Sequence, residues 1–176
     1  LFKHLKHFVS DDSILHFSVD EVLLVNGIGS LPGNTLRRAI FENFCDEGYK
    51  FITVVSDSAV ISTNCTLGNG VQIMPGAIIN TDVSIGDNCI INTGAIIEHD
   101  CVLGRNNHIA PGATLSGGVV CGNNVHVGTG ASVIQSIEIG SDSLIGAGAV
   151  IIKSVKTGGS VFAAKSSTFD GKESEL

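Results

Sequence analysis

Along residues 55–156 an aliphatic side chain returns at every sixth position. The series runs Val55, Ile61, Leu67, Ile73, Ile79, Ile85, Ile91, Ile97, Leu103, Ile109, Leu115, Cys121, Val127, Val133, Ile139, Ile145 and Ile151, and only Cys121 is not aliphatic. Four residues after each comes a second, mostly small residue, from Ala59, Cys65 and Val71 to Ala149 and Val155. Only Asn107 and Ser143 in this second series are polar. A period of six fits neither a 3.6-residue helix nor a long strand of period two. It fits short strands joined by tight turns and wound as a solenoid.

A longer period sets the size of one coil. Gly68, Gly86, Gly104, Gly122 and Gly140 are eighteen residues apart, and so are Gly76, Gly94, Gly112, Gly130 and Gly148. Three hexapeptides therefore make one triangular coil, with glycine stacked along two corners, where positive φ or close backbone approach is needed. Asn88, Asn106 and Asn124 form a further column with the same turn chemistry. The segment makes about 5.7 coils and, at roughly 4.8 Å per coil, a prism ~27 Å tall.

Residues 1–54 read differently. Val22 to Val25 predict a short strand, Asn34 a cap for a helix through Leu36, Ile40, Phe41 and Phe44 with a stop at Gly48, and Phe51 to Val55 a second strand. This is one β-α-β unit, the size of half a small doubly wound domain. Gly27-Ile28-Gly29 between strand and helix lacks the third glycine and following acid of a dinucleotide fingerprint, and reads as an ordinary loop. Residues 157–176 are polar and rich in glycine and serine, a tail or terminal cap. The chain starts at Leu1 rather than methionine, and reads as beginning partway through a longer protein.

Composition agrees with an aliphatic solenoid. There are 22 glycines in 176 residues and no tryptophan. All eight phenylalanines and the one tyrosine lie outside residues 55–156, which marks a domain boundary near residue 54. The net charge of −7 argues against nucleic-acid binding. No apolar run approaches the ~18 residues of a membrane span. Cys45, Cys65, Cys89, Cys101 and Cys121 form no CxxC pair, so neither a disulfide framework nor a structural zinc site is expected, and a reducing cytoplasm is the default.

Inward positions are apolar, so chemistry is left to corners and outer faces. The third corner column reads Asn80-Thr81-Asp82, Glu98-His99-Asp100, Ser116-Gly117-Gly118 and Ile134-Gln135-Ser136. One coil departs from small turn residues and sets a histidine between two acids. An imidazole titrates near neutrality and serves as a general base, and a neighbouring carboxylate can orient it. The competing reading is an exposed turn whose charges only keep the protein soluble. His108 and His126 lie eighteen apart on one outer face, where they are either functional or polar residues of a subunit interface. His99 and His108 are half a coil apart, on opposite sides of one prism, and meet only across subunits.

The run Ile91-Asn92-Thr93-Gly94-Ala95-Ile96-Ile97-Glu98-His99-Asp100-Cys101, followed by His108-Ile109-Ala110-Pro111-Gly112-Ala113, resembles the hexapeptide-repeat sugar acetyltransferases. These include sialic acid O-acetyltransferases and UDP-4-amino-sugar N-acetyltransferases. The resemblance implies a mainly β fold, a left-handed parallel β-helix preceded by a Rossmann-like sugar-nucleotide segment. It implies a cytoplasmic homotrimer using acetyl-CoA, with no metal, in the synthesis of bacterial surface glycans. By it, His99 is the catalytic base and Asp100 the acid that raises its basicity. His108 contacts the acetyl-CoA thioester region from the neighbouring subunit, and Asn92 is an active-site asparagine. Further coenzyme contacts fall on Thr129 and Ala147, through the backbone. The family's first strand and glycine-rich loop are missing here, so much of the acceptor pocket is expected outside this chain. The family tail often reads Pro-Ala-Lys with its lysine near the coenzyme phosphates, whereas Ala163-Ala164-Lys165 stands here.

Within that class the β-α-β unit, by analogy of fold, points to a nucleotide-linked amino sugar as acceptor, with O-acetylation of a sialic acid-type sugar as the alternative that the residues leave open. Two remote readings use the same prism: a trimeric zinc carbonic anhydrase with His99, His108 and His126 as ligands, and a non-catalytic trimeric scaffold. The zinc enzymes place two ligands five residues apart, and this chain has no such pair. The cysteines of the repeat occupy inward positions and read as packing, not nucleophiles.

Overall fold

The computed structural model describes residue 6 and residues 8–164, and most of them form one parallel β-solenoid. Each hexapeptide contributes a two-residue strand, and strands eighteen residues apart pair in parallel, as Ile96↔Thr114 and Ile97↔Leu115 do. Three flat sheets result. Face I carries seven strands, from Val54–Val55 through His108–Ile109 and His126–Val127 to Ser160–Val161. Face II carries six, from Val60–Ile61 to Val150–Ile151, and face III five, from Thr66–Leu67 to Glu138–Ile139.

The sixfold aliphatic series points inward, as its spacing predicts. Ile91, Ile97, Ile109, Leu115, Val127 and Ile145 have no exposed surface, and the small series fills the gaps between them with Ala77, Ala95, Ala113 and Ala131. Packing is loosest at the first coil, where Val55 is 41% exposed because no coil lies beneath it.

The two glycine columns have different causes. Gly94 has φ +64 and open space around a would-be Cβ, so its corner needs the left-handed backbone. Gly86 has no positive φ, but a Cβ there would lie 2.8 Å from the Gly104 carbonyl carbon, so this corner needs close approach. The asparagine column takes the left-handed backbone at Asn88, Asn106 and Asn124, with Asp142 one coil further on. Its side chains bond in sequence: Asn88 Nδ2 donates to Asn106 at 2.9 Å, Asn106 to Asn124 at 3.2 Å and Asn124 to Asp142 at 2.8 Å.

The polar inward residue Asn107 is also explained. Its amide donates to the Gly104 and Gly122 carbonyls and accepts from the Val125 N–H at 2.6 Å, tying successive coils together inside the prism. The inward thiols behave likewise. Cys89 and Cys101 reach the Gly104 and Ser116 carbonyls at 3.1 and 3.3 Å. Burial pushes the Cys89 and Cys121 thiols up to about 12, and un-ionised thiols are poor nucleophiles.

The N-terminal segment forms β1 (Leu23–Leu24), α1 (Leu36–Asp46) and β2 (Lys50–Phe51), with β1 and β2 parallel. The cap position is Thr35, not Asn34 as expected, and Thr35 makes no side-chain capping bond. Asn34, one residue earlier, accepts the Leu36 N–H at 2.8 Å in a local turn, and Gly48 takes φ +90 where the helix stops. The strand expected over Phe51 to Val55 is instead two strands. Lys50–Phe51 pairs with β1, whereas Val54–Val55 pairs with Gln72–Ile73 of the solenoid. Between them Thr53 Oγ1 donates to the Gly68 carbonyl and accepts the Val71 N–H, which hands the chain from one sheet to the other. A small core of Leu24, Phe41, Tyr49 and Phe51 meets the prism at Gly70, where any Cβ would strike Phe41.

At the far end the ladder continues into the segment read as a tail. Ser160–Val161 pairs with Leu144–Ile145 and lengthens face I by one strand. Lys165 and the rest of 165–176 lie outside the described residues. No helix among the described residues is long and apolar enough to cross a membrane.

Replacing Asn107 by alanine strands the Val125 N–H and the Gly122 carbonyl inside the prism, and leaves the Gly104 carbonyl with only the Cys89 thiol. Buried unpaired groups of this kind cost about 1–3 kcal/mol each. The expected loss is about 2–4 kcal/mol of unfolding free energy, read from chemical denaturation, with the solenoid retained.

Candidate active site

His99 stands on the corner between faces II and III. Its Nδ1–H donates to Asp100 Oδ2 at 2.8 Å, a contact that chain adjacency alone does not require. Asp100 makes it by taking the left-handed backbone, φ +61, which turns its carboxylate back to the ring. Glu98 on the other side is held away by Asn80, whose Nδ2 donates to its carboxylate at 2.8 Å. Both His99 and Asp100 side chains are exposed. The Asp100 hydrogen bond raises the His99 pKa above its ordinary value, partly opposed by desolvation and helped by the charges of Asp100 and Glu98. With Nδ1 committed, Nε2 is the basic nitrogen left to accept a proton.

A second cluster lies on face I and the corner between faces I and II. His108 is buried, with both ring nitrogens occupied. Nδ1 donates to the Ser30 carbonyl at 3.0 Å and Nε2 accepts from Asn92 Nδ2 at 3.0 Å. Asn92 is itself oriented, because its Oδ1 takes the Thr93 N–H at 2.8 Å. Burial, the adjacent His126 ring and Arg37 bring the His108 pKa down to about 4, against a smaller opposing effect of Ser30. His108 is therefore neutral, with its tautomer fixed by its partners. His126 packs edge-on against it, ring centroids 4.9 Å apart, as the eighteen-residue spacing predicts, and its pKa is also lowered by burial.

Thr129 and Ala147 are exposed further along the same corner, in the column begun by Thr93 and Pro111. Gly112, Gly130 and Gly148 each donate a backbone N–H to the coil before, to Thr93, Pro111 and Thr129. Asn92, His108, Thr129 and Ala147 thus line one edge of the prism, while His99 and Asp100 stand at the corner opposite face I. The structure joins His99 to Asp100 and Asn92 to His108, and keeps the two pairs apart within one chain. His108 is also more enclosed than an outer-face position suggests, because the loop carrying Ser30 folds over it.

That loop is pinned by Arg37. Its Nη1 donates to the Asn26 and Ile28 carbonyls at 2.8 and 2.7 Å, and Asn26 Nδ2 returns a bond to the Arg37 carbonyl. Gly27-Ile28-Gly29 is accordingly a loop organised by its own chain. A cavity of about 250 Å³ separates residues 30–38 from the asparagine column. Arg37, Asn88 and His126 line it, and they carry the four buried side-chain atoms without partners among the described residues. It is well removed in the fold from His99. Sequence reasoning gave no role to two residues that touch these groups: Ser30, through its carbonyl, and Asn80. Only Asn80 carried a signal, its eighteen-residue offset from Glu98.

Comparison with known proteins places the chain. The bacterial transferase hexapeptide family, described by six repeats, matches residues 58–99 and 82–117. The acetyltransferase domain of PglB from Neisseria gonorrhoeae is 31% identical, with 88% of this chain and 75% of that one covered and a TM-score of 0.80. GDP-perosamine N-acetyltransferase from Caulobacter crescentus, solved with CoA and GDP-perosamine as a His-to-Ala variant, is 38% identical with a TM-score of 0.73. That match covers 76% of this chain, which spans only 63% of the length of the perosamine enzyme. WeeI from Acinetobacter baumannii is 27% identical, covering 76% of this chain and 65% of that one, with a TM-score of 0.71. No curated protein matches in sequence. The chain belongs to the hexapeptide-repeat sugar acetyltransferases, and its solenoid is their left-handed β-helix.

The lowered His108 pKa has a consequence for stability. The unfolded chain takes up a proton near pH 6.5, whereas the folded one resists until about 4. Stability is thus full above 6.5 and falls as pH drops towards 4. Denaturation midpoints at pH 7 and pH 5 should show this loss, and His108→Asn should reduce it without removing the His126 share.

Proposed function

We propose that the chain is the catalytic part of a homotrimeric acetyl-CoA:sugar N-acetyltransferase. Its acceptor is an amino sugar linked to a nucleotide, and its product feeds the synthesis of surface glycans. The observation that carries this reading is the His99–Asp100 pair, 2.8 Å apart on a rigid corner, with its second ring nitrogen uncommitted. The relatives bound to CoA and GDP-perosamine support the donor and the acceptor class. The β-α-β unit with Gly27-Ile28-Gly29 then belongs to a Rossmann-like acceptor-binding region. Unpaired cysteines and acetyl-CoA as donor both suit the cytoplasm.

The reaction needs few groups. The acceptor amine attacks the thioester carbonyl while His99 Nε2 removes its proton. Asp100 stabilises the imidazolium that forms. The tetrahedral oxyanion takes hydrogen bonds from backbone N–H groups of the adjacent coil. Asn92 Nδ2 also has a second hydrogen beyond the one given to His108. Collapse breaks the C–S bond, and the imidazolium returns its proton to the coenzyme thiolate. No covalent enzyme intermediate is required. The coenzyme runs along the edge of Asn92, His108, Thr129 and Ala147. His108, neutral and held at both nitrogens, acts as a fixed wall that orients Asn92 and not as a proton carrier.

One prism holds His99 and the Asn92–His108 edge on different sides, so the complete site needs the edge of a neighbouring prism. The exposed apolar side chains Val60, Ile78, Val102 and Val120 on faces II and III suit such packing. The zinc reading is weakened by the same geometry, because both ring nitrogens of His108 are already in use.

His99→Ala should lower kcat by about 10²–10⁴-fold with coenzyme binding intact. Asp100→Asn should reduce the rate and move the acidic fall of kcat/KM to lower pH, since it removes the bond that raises the His99 pKa. Unchanged turnover in both variants would sink the role of His99. Trimers mixed from His99→Ala and Asn92→Ala chains should recover activity that neither has alone, and no recovery would mean an unshared site. Free-thiol release from acetyl-CoA identifies the acceptor. Release with an amino-sugar nucleotide alone supports N-acetylation, and release with a sialic acid alone moves the assignment to O-acetylation.

A further inference from the structure

Gly117 sits one coil beyond His99 on the same corner, and its neighbour Gly118 donates a backbone N–H to the His99 carbonyl at 2.8 Å. A Cβ on Gly117 would lie 2.5 Å from His99 Cε1, 2.6 Å from Nε2 and 3.2 Å from Nδ1. The imidazole therefore rests across the α-carbon of the next coil, in the space a side chain would take. The backbone does not call for glycine here. Positive φ falls on Gly118, at +68, and Gly117 has none. The equivalent positions one coil before His99 and two beyond it carry Thr81 and Gln135, so the corner itself tolerates side chains.

We propose that Gly117 is a positioning residue for His99: its missing side chain is the slot that seats the imidazole with Nδ1 on Asp100. The backbone at Gly117 cannot yield, because its carbonyl accepts the Ser136 N–H at 3.0 Å and the Gly118–His99 bond fixes the coil spacing. The ring yields instead. An added methyl turns it out of the slot and breaks the bond to Asp100. The charged groups around the ring are Asp100 and Glu98 beside it and Asp82 on the coil before, while the coil after offers Ser116 and two glycines.

The significance for catalysis rests on His99 being the base, but the seating of the ring does not. The test reads the two separately, on the assembled protein. In the wild type, NMR should show cross-relaxation between His99 Hε1 and the Gly117 α-protons. In Gly117→Ala that contact should vanish and the His99 pKa should fall towards its ordinary value, as in Asp100→Asn. kcat should drop by about 10- to 100-fold, the scale of a misplaced catalytic group, with KM for acetyl-CoA little changed. In a His99→Ala background Gly117→Ala should cost less than twofold more. Gln135→Ala serves as the control for the corner and should behave as wild type.

Several outcomes overturn the proposal. One is a missing His99–Gly117 contact in the wild type, which needs no variant to fold. Another is an unchanged His99 pKa in Gly117→Ala. A third is a loss carried entirely in KM, or one of equal size without His99, which would mean the slot serves the coenzyme. If His99→Ala and Asp100→Asn keep full activity while the contact and the pKa shift are seen, the seating holds and the base assignment fails.

Discussion

Everything in this molecule depends on the hydrogen-bond ladder between successive coils. Strand N–H groups donate seventeen residues ahead, as Ile96 does to Ala113 and Glu98 to Leu115, both at 2.9 Å. Because every strand is only two residues long, a shift of one residue would turn the inward aliphatic residue outward. The sixfold pattern and the ladder therefore enforce each other. The same ladder leaves the two ends of the solenoid as its weak places, where Val55 lies in the first coil and Ser160–Val161 closes the last.

A ladder of fixed register turns sequence offsets into spatial neighbours. Residues eighteen apart stand about 4.8 Å apart, which is hydrogen-bonding range for side chains. The asparagine column, the Asn80–Glu98 contact, the His108–His126 pair and the His99 ring above Gly117 are four uses of that single distance. Chemistry on such a scaffold is rigid without a dedicated support. A corner residue is held by its own coil and by the coils on either side.

This explains which features were legible in the sequence. The solenoid, its coil length, the inward residues and the stacking of His108 on His126 follow from periodicity. The position of α1 follows from its apolar spacing, but its start lies one residue later than the capping pattern suggests, at Thr35 and not Asn34. What periodicity leaves open is how adjacent side chains turn. Asp100 faces His99 because of a left-handed backbone, and the residue type Asp at a corner allows that conformation without requiring it. The break after Phe51 was hidden because Phe51 to Val55 is uniformly apolar apart from Thr53. Only the pairing partners of β2 and Val54–Val55 show that the chain changes sheets there. The enclosure of His108 was hidden for a similar reason, since its partner Ser30 is 78 residues away and contributes only a carbonyl.

The two histidine sites show how one side chain is put to opposite uses by its surroundings. His99 is exposed, donates to a carboxylate and has its pKa raised, so it gains a proton readily and loses little by carrying charge. His108 is enclosed, touches a second imidazole and has its pKa brought down to about 4, so charge is excluded from it. A base must change its protonation within each turnover, whereas a residue that orients an amide must not. The first demand places a histidine at a solvent-facing corner beside an acid, and the second places one under a loop between neutral partners. The fold supplies both settings within half a coil, on opposite sides of the prism. On the function proposed here, that separation ties catalysis to assembly: a single chain positions each half of the chemistry, and a second copy brings the halves together.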